Sequence, residues 1–213
     1  MRVLRDQNGA VLVETTVMMA LMFVFVLGSI DFLFLLYQWN AASKAVQLGA
    51  RIAAVSNPVA TGLNNLSNAV VSVSVPPGAV MPFFEVRCSG ANATCTCTGT
   101  CTGVNGYDAA AMNTIIFGRG SASCTDATSA YNAGMCDIFA RIKAANVVIS
   151  YTQTGLGYAG RPGGPAPTIT LALENMSFQF FFLSGLLRFN DIRMPAFTTS
   201  ITAEDLSSSA PSM

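Results

Sequence analysis

"ETTVMMALMFVFVLGSIDFLFLLYQW", Glu14 to Trp39, is the stretch that decides how this chain folds. Between Thr15 and Tyr37 the only charge is Asp31. As a helix rising ~1.5 Å per residue, Thr15 to Tyr37 covers ~34 Å, enough for a hydrocarbon core of ~30 Å. Composition agrees: 52% of the 213 residues are hydrophobic, 10% are charged, and the formal net charge is zero. Phe178 to Leu187 is the nearest approach to a second such run, and it is too short and contains Gln179. Two carboxylates stand out, Glu14 at the start of the run and Asp31 near its end, because a charge at membrane depth costs free energy.

Working outward toward the N-terminus, Met1 to Gly9 carries Arg2 and Arg5 against Asp6. That bias is the one cytoplasmic flanks show. Toward the C-terminus the helical pattern outlasts Tyr37 and Trp39, which suit an aromatic membrane boundary. Ala41, Ala45, Gly49 and Ala53 recur every four residues, with Ala42, Val46, Ala50 and Ala54 in the adjacent row. Asn40, Lys44, Gln47 and Arg51 fall on another face, as an amphipathic helix requires. Rows of small residues admit a second surface at close range, either the chain's own sheet or another copy's helix. Asn57-Pro58 should stop the helix, since proline disfavours α in the residue before it. The chain from Ser56 onward is long enough for one domain with its own core.

All six cysteines, Cys88, Cys95, Cys97, Cys101, Cys124 and Cys136, follow the apolar run. An even number in one region fits disulfides in an oxidising compartment, which places the arginine-bearing tail on the reducing side. Six cysteines allow 15 pairings, and spacing does not choose among them. Zinc is the weaker reading: the chain has no histidine and the cysteines are not paired as CxxC.

Three readings compete for the N-terminus. A secretory signal would have a shorter apolar region and a small-residue cleavage site before any interface aromatics. A plain anchor would let Glu14 snorkel to the headgroups. The third explains more: a short basic leader ends at Gly9, small Ala10 follows, and Glu14 sits at the fifth place beyond the cut. This resembles the leader of type IV pilins and pseudopilins, cut on the cytoplasmic side by a prepilin peptidase. "GSIDFLFLLYQWNAASKAVQLGARIAAV", Gly28 to Val55, narrows the match. With Gly9, Val13-Glu14, Asp31 and Gly49-Ala50-Arg51, the first 55 or so residues resemble the TadE-like family of the Tad (tight adherence) pilus system.

That resemblance implies a structural protein and not an enzyme: a minor pilin or pseudopilin that helps to initiate or build a Tad pilus. Thr15 follows Glu14 where major Flp pilins carry tyrosine, which favours a minor subunit. Gly9 and Ala10 become the processing site, and Glu14 the assembly residue that pairs with the amine of a neighbouring subunit. Asp31, Ala41, Ala45, Gly49, Arg51 and Ala53 become candidates for helix packing. The implied partners are a prepilin peptidase, other pilins, the Tad inner-membrane machinery and the lipid bilayer. The competing function is an uncleaved single-pass protein whose exported domain binds an envelope or surface partner.

The rest of the chain reads as α+β. Val71, Val73 and Val75 alternate with serines as a half-buried strand does. Val147, Ile149 and Tyr151 repeat the pattern, as do Ile169, Leu171 and Leu173, and then Met176, Phe178, Phe180 and Phe182 on the opposite parity. The phase change at Glu174-Asn175 calls for a bulge or turn. Phe197, Ile201 and Ala203 suggest a last strand. Gly155 to Pro167 reads as a hairpin loop, Ser89 to Gly106 as a loop, and Ala130 to Ala144 as a helix. "MNTIIFGRG", "ANVVISYT" and "TITLALENMSFQFFF" share the family's strand-like character.

Without histidine there is no Ser-His or Cys-His nucleophile pair, the glycine-rich loop lacks the ending of a phosphate loop, and no cofactor is implied. The absence of a basic run gives no nucleic-acid footprint. Asn92-Ala93-Thr94 and Asn175-Met176-Ser177 match the short glycosylation pattern, which arises readily by chance.

The expected organisation is a cytoplasmic leader at 1–9, then a long helix at 10–55, transmembrane over about 15–37 and exported and amphipathic over 38–55. An exported antiparallel α+β domain follows at 56–213, pilin-like, with a cysteine-bearing insertion at 88–136. The protein should sit in a bacterial inner membrane with its N-terminus cytoplasmic.

Overall fold

A computed structural model describes residues 7–121, 123–124, 132–178, 180–188, 190–203 and 206. The elements in chain order are α1 (Gln7–Ala54), β1 (Ala60–Thr61), α2 (Leu66–Ala69), β2 (Phe84–Ser89), β3 (Thr94–Gly99), β4 (Gly106–Tyr107), α3 (Ala109–Phe117), α4 (Met135–Ile138), β5 (Val147–Thr152), β6 (Thr168–Leu173), β7 (Ser177–Phe178), α5 (Phe182–Leu187), β8 (Ile192–Arg193) and β9 (Phe197–Thr202). The fold is α+β, a long apolar N-terminal helix followed by an antiparallel sheet domain. The chain divides into two compact units: Met1–Trp39 with Ser177–Met194, and Asn40–Met176 with Pro195–Met213.

The larger unit is built on a five-stranded antiparallel sheet of order β3-β2-β5-β6-β9. Alternation dictates its faces. In β2, Phe84, Val86 and Cys88 are buried while Glu85 and Arg87 are exposed. Register continues the buried face across the sheet: Val86 stands opposite Tyr151, Tyr151 opposite Ile169, and Ile149 opposite both Cys88 and Leu171. Such cross-strand apolar pairs are the stabilising unit of a sheet. The loop Gly155 to Pro167 joins the antiparallel neighbours β5 and β6, and Asn175 takes a positive φ of 57° where the sequence phase changes.

The Asn40–Ala54 part of α1 belongs to this unit. Ala41, Ala42, Ala45, Val46, Gly49, Ala50, Ala53 and Ala54 are buried, and Asn40, Lys44, Gln47 and Arg51 are exposed. A β carbon at Gly49 would run into the Met135 side chain and lie 3.3 Å from Leu171 Cδ1. The small-residue rows therefore face the chain's own domain here. The helix ends at Ala54, shortly before Asn57-Pro58. Arg119 Nη2 donates to the Val55 carbonyl at 2.7 Å, a cation where the helix dipole is negative.

Several expectations are corrected. Val71 to Val75 is no strand: Val71 and Val73 are exposed, and Ser72 and Val75 close a turn on each other at 3.0 and 3.2 Å. Pro76 and Pro77 follow and cannot donate to a ladder. Ser89 to Gly106 is more than a loop, because β3 pairs with β2 along its length. Its threonines suit a pleated surface, and a cross-strand disulfide joins Cys88 to Cys95.

"MNTIIFGRG" is helical in α3 up to Phe117. Asp108 caps that helix, its Oδ1 accepting from Ala110 and Ala111 N–H at 2.8 and 3.1 Å. Buried Ala111, Met112, Ile115 and Ile116 form one helical face. Ala130 and Tyr131 lie outside the described residues, and within the rest of Ala130 to Ala144 only Met135–Ile138 is α-helix. Extended backbone at Gly134 and Phe139 bounds it. Among the described residues of Met176 to Phe182, only Ser177 and Phe178 are strand, as β7, and α5 begins at Phe182.

In the smaller unit, β7 pairs antiparallel with β8, Ser177 opposite Arg193 and Phe178 opposite Ile192. α5 lies between them in sequence. The first part of α1 exposes Val11, Leu12, Val17, Leu21, Phe23, Phe25 and other large apolar side chains. Val11–Ala54 is long and apolar enough to cross a membrane by length and composition.

Candidate functional site

Gly9 lies exposed near the start of α1, with Ala10 next in the helix. Glu14 is exposed and has no hydrogen bond or ion pair among the described residues. A shallow groove beside it is lined by Gly9, Val13, Val17 and Met18. The neighbouring hydroxyls are satisfied within the helix: Thr15 Oγ1 donates to Leu12 O at 3.0 Å, and Thr16 Oγ1 to Val13 O at 2.8 Å. Glu14 is thus the polar group at this end of the apolar surface that the described residues leave without a partner.

Asp31 differs in every respect. It is 1% exposed. Its Oδ1 accepts from Phe181 N–H at 3.2 Å, and its Oδ2 accepts from Phe182 N–H at 3.0 Å and Leu183 N–H at 2.9 Å. These are amides at the N-terminus of α5, whose own N-cap, Phe181, supplies no side-chain cap. A helix leaves its first N–H groups unpaired, so Asp31 caps α5 from 150 residues away in sequence. Charge and helix dipole have complementary signs.

The contacts around the carboxylate follow helical spacing. Gly28, Asp31 and Phe34 share a face of α1. Leu183 lies over Gly28, with Cδ2 3.6 Å from where a β carbon would stand. The Phe34 ring meets Phe181 edge-on at 5.2 Å and Phe178 at 6.2 Å, and Phe178 meets Phe180 at 5.1 Å. The amide partners of Asp31 escape a reading of side-chain patterns because they are backbone groups. Two signals do point there: a charge in an apolar helix needs a partner, and Phe178 to Leu187 is the other long apolar run.

The remaining candidates are not gathered with these. Ala41, Ala45, Gly49 and Ala53 are buried in the sheet unit, and Arg51 is exposed beside Ile52, Val55, Arg119 and Ala133. Disulfides join Cys88 to Cys95 and Cys97 to Cys101. Cys124 and Cys136 are thiols, which corrects the expectation that all six would be bridged. Burial, then the hydrogen bond and charge of the neighbouring Cys124, push the Cys136 thiol up to about 12. Burial also pushes the Tyr151 phenol well above its usual range, against a lowering by its hydrogen bond from Val59 N–H at 2.9 Å. Among the described residues no group of three or more His, Cys, Asp or Glu is placed to hold a metal ion.

Comparison with known proteins bears on this same stretch of helix. Residues 9–51 match the family described as "TadE-like protein". The match takes in Gly9, Glu14, Asp31 and Gly49-Ala50-Arg51. No curated protein and no solved structure matches the chain.

Proposed function

We propose that this chain, TadE-like over residues 9–51 and so associated with the Tad pilus, is a minor pilin or pseudopilin of that system. It is cut after Gly9 by a prepilin peptidase, and its cytoplasmic leader at 1–9 is lost. The helix at 10–55 crosses the bacterial inner membrane over about 15–37, and the domain at 56–213 is exported. Its partners are other pilins and the inner-membrane assembly machinery.

The observation that carries this reading is the state of Glu14: exposed at the edge of an apolar surface, with no partner among the described residues. Cleavage creates an ammonium at Ala10, and a neighbouring copy can bring its own amine to Glu14. Two unit charges ~4 Å apart attract by ~4 kcal/mol at an effective dielectric of ~20, against ~1 kcal/mol in water. Desolvation offsets part of that gain, so the pair sets register between subunits more than it adds stability.

Glu14→Gln tests the assignment. The variant should insert and be processed to a mature chain beginning at Ala10, as read by N-terminal sequencing from the native host. It should not restore piliation in a strain lacking the protein. A mature chain beginning at Met1 would favour the uncleaved anchor, and normal piliation by Glu14→Gln would reduce Glu14 to a boundary residue.

A further inference from the structure

The segment Ser177–Met194 forms one compact unit with Met1–Trp39, and three features of that unit point the same way. Its backbone is fixed to α1 by the three amide bonds to Asp31. Two of its rings nevertheless face outward: Phe181 is 67% exposed and Phe182 43%. The same stretch of α1 exposes Ile30, Phe32 and Leu33, and the Phe181 ring lies 5.2 Å from that of Phe34. A soluble protein rarely leaves so many large apolar side chains exposed in one compact unit without something to cover them.

Depth identifies what covers it. Tyr37 and Trp39 suit the membrane boundary, and Asp31 lies six residues before Tyr37, ~9 Å further into the bilayer along the helix. Anything bound to Asp31 is held at that depth. Interfacial elements bury their apolar faces by ~5–10 Å. Backbone at that depth must have its polar groups paired within the protein. Here the first amides of α5 go to Asp31, and β7 pairs with β8. Arg188 and Arg193 follow the apolar run and are exposed, as basic side chains that reach headgroup phosphates would be.

We propose that Ser177–Met194 is a second membrane-embedded element. It lies in the leaflet at the Tyr37 end of the span, docked on α1 by Asp31, with Phe181 and Phe182 among the acyl chains. It does not cross: Phe178 to Leu187 is far below the ~20 residues a spanning helix needs. The proposal rests on the reading that α1 crosses the membrane. It gives Asp31 a role apart from subunit assembly, as the residue that fixes the depth of this finger.

The full chain, reconstituted in phosphatidylcholine–phosphatidylglycerol vesicles, tests this. Trp39 is the single tryptophan, so Trp39→Phe gives a silent background. Single tryptophans are then introduced by Phe25→Trp at mid-span, Phe181→Trp in the finger, and Val73→Trp on the exposed turn of the sheet unit. Emission is compared with and without phosphatidylcholine brominated near the headgroup end of its acyl chains or deeper. The tryptophan at 181 should be blue-shifted and lose emission chiefly to the shallow bromines, that at 25 chiefly to the deep ones, and that at 73 to neither. Phe182→Trp repeats the measurement should the first variant fold poorly. Quenching at 25 without quenching at 181 or 182 would overturn the finger and leave the span standing. Blue-shifted but unquenched emission at 181 would mean that protein, such as a second copy, covers the rings, and would overturn it too. An unquenched tryptophan at 25 would remove the span, and the finger with it.

Discussion

Removing the Asp31 carboxylate should have two effects of opposite sign, both calculable. Asp31→Ala deletes the acceptor for three amides, at 3.2, 3.0 and 2.9 Å. A hydrogen bond to a charged group contributes about 1.5–3 kcal/mol, and a buried donor left without a partner costs about 1–3 kcal/mol. The three share one acceptor group and are not additive. We therefore expect the finger to open more easily by ~3 kcal/mol, about two bonds at the lower figure. At ~1.4 kcal/mol per tenfold, that is roughly a hundredfold more open form.

Insertion of the isolated helix should meanwhile improve, by less than the about 2.5–3.5 kcal/mol that an aspartate costs at the helix centre, because Asp31 lies nearer the end of the run. Limited trypsin digestion reads the first effect. Where opening and closing are fast relative to cleavage, the cutting rate follows the open population. Cleavage after Arg188 and Arg193, both exposed, should accelerate by about that factor, while cleavage after Lys143 in the sheet unit stays as it was. Asp31→Asn should fall between, because one carbonyl oxygen can still accept from Phe182 and Leu183 N–H. Cleavage of Asp31→Ala at the parental rate would show that the carboxylate does not hold the finger.

Tyr151→Phe should cost about 1–2 kcal/mol at neutral pH by leaving the buried Val59 N–H without its acceptor, read as a lower denaturant midpoint. Its pH effect follows from the raised phenol. The folded state keeps the proton above pH ~10, where the unfolded state loses it, so this stability is complete below pH ~10 and falls as pH rises, by up to ~1.4 kcal/mol per unit. The Phe variant should lose that part of the alkaline slope, and an unchanged slope would place it elsewhere. Cys136, pushed up to about 12, should alkylate slowly at pH 8, where roughly one thiol in ten thousand is ionised. Mass mapping that finds it modified as fast as a free cysteine would refute the burial argument. Gly49→Leu should destabilise the sheet unit by about 1–3 kcal/mol through overpacking against Met135 and Leu171, measured by thermal unfolding, whereas an unchanged midpoint would mean that this contact yields freely.

The sequence by itself determined whatever depends on period and composition. The apolar run from Thr15 to Tyr37, read as membrane-spanning, calls for a helix because only a helix or a closed barrel pairs its backbone groups in lipid. Ala41, Ala45, Gly49 and Ala53 recur with the helix turn, and Asn57-Pro58 ends it. Val147 to Tyr151 and Ile169 to Leu173 alternate because one face of their sheet is buried. Glu14 and Asp31 stood out in the sequence because carboxylates in an apolar helix are costly enough to need a reason. Tertiary structure decided which partner met each demand. Val71 to Val75 alternates but pairs with no strand among the described residues, while Thr94 to Gly99 has little apolar pattern and pairs along β2, where Cys88 is bridged to Cys95. "MNTIIF" had strand character until Asp108 supplied a cap. Asp31 found three amides of a segment 150 residues away, a pairing that no local pattern encodes, since the groups it binds are backbone groups common to every residue but proline.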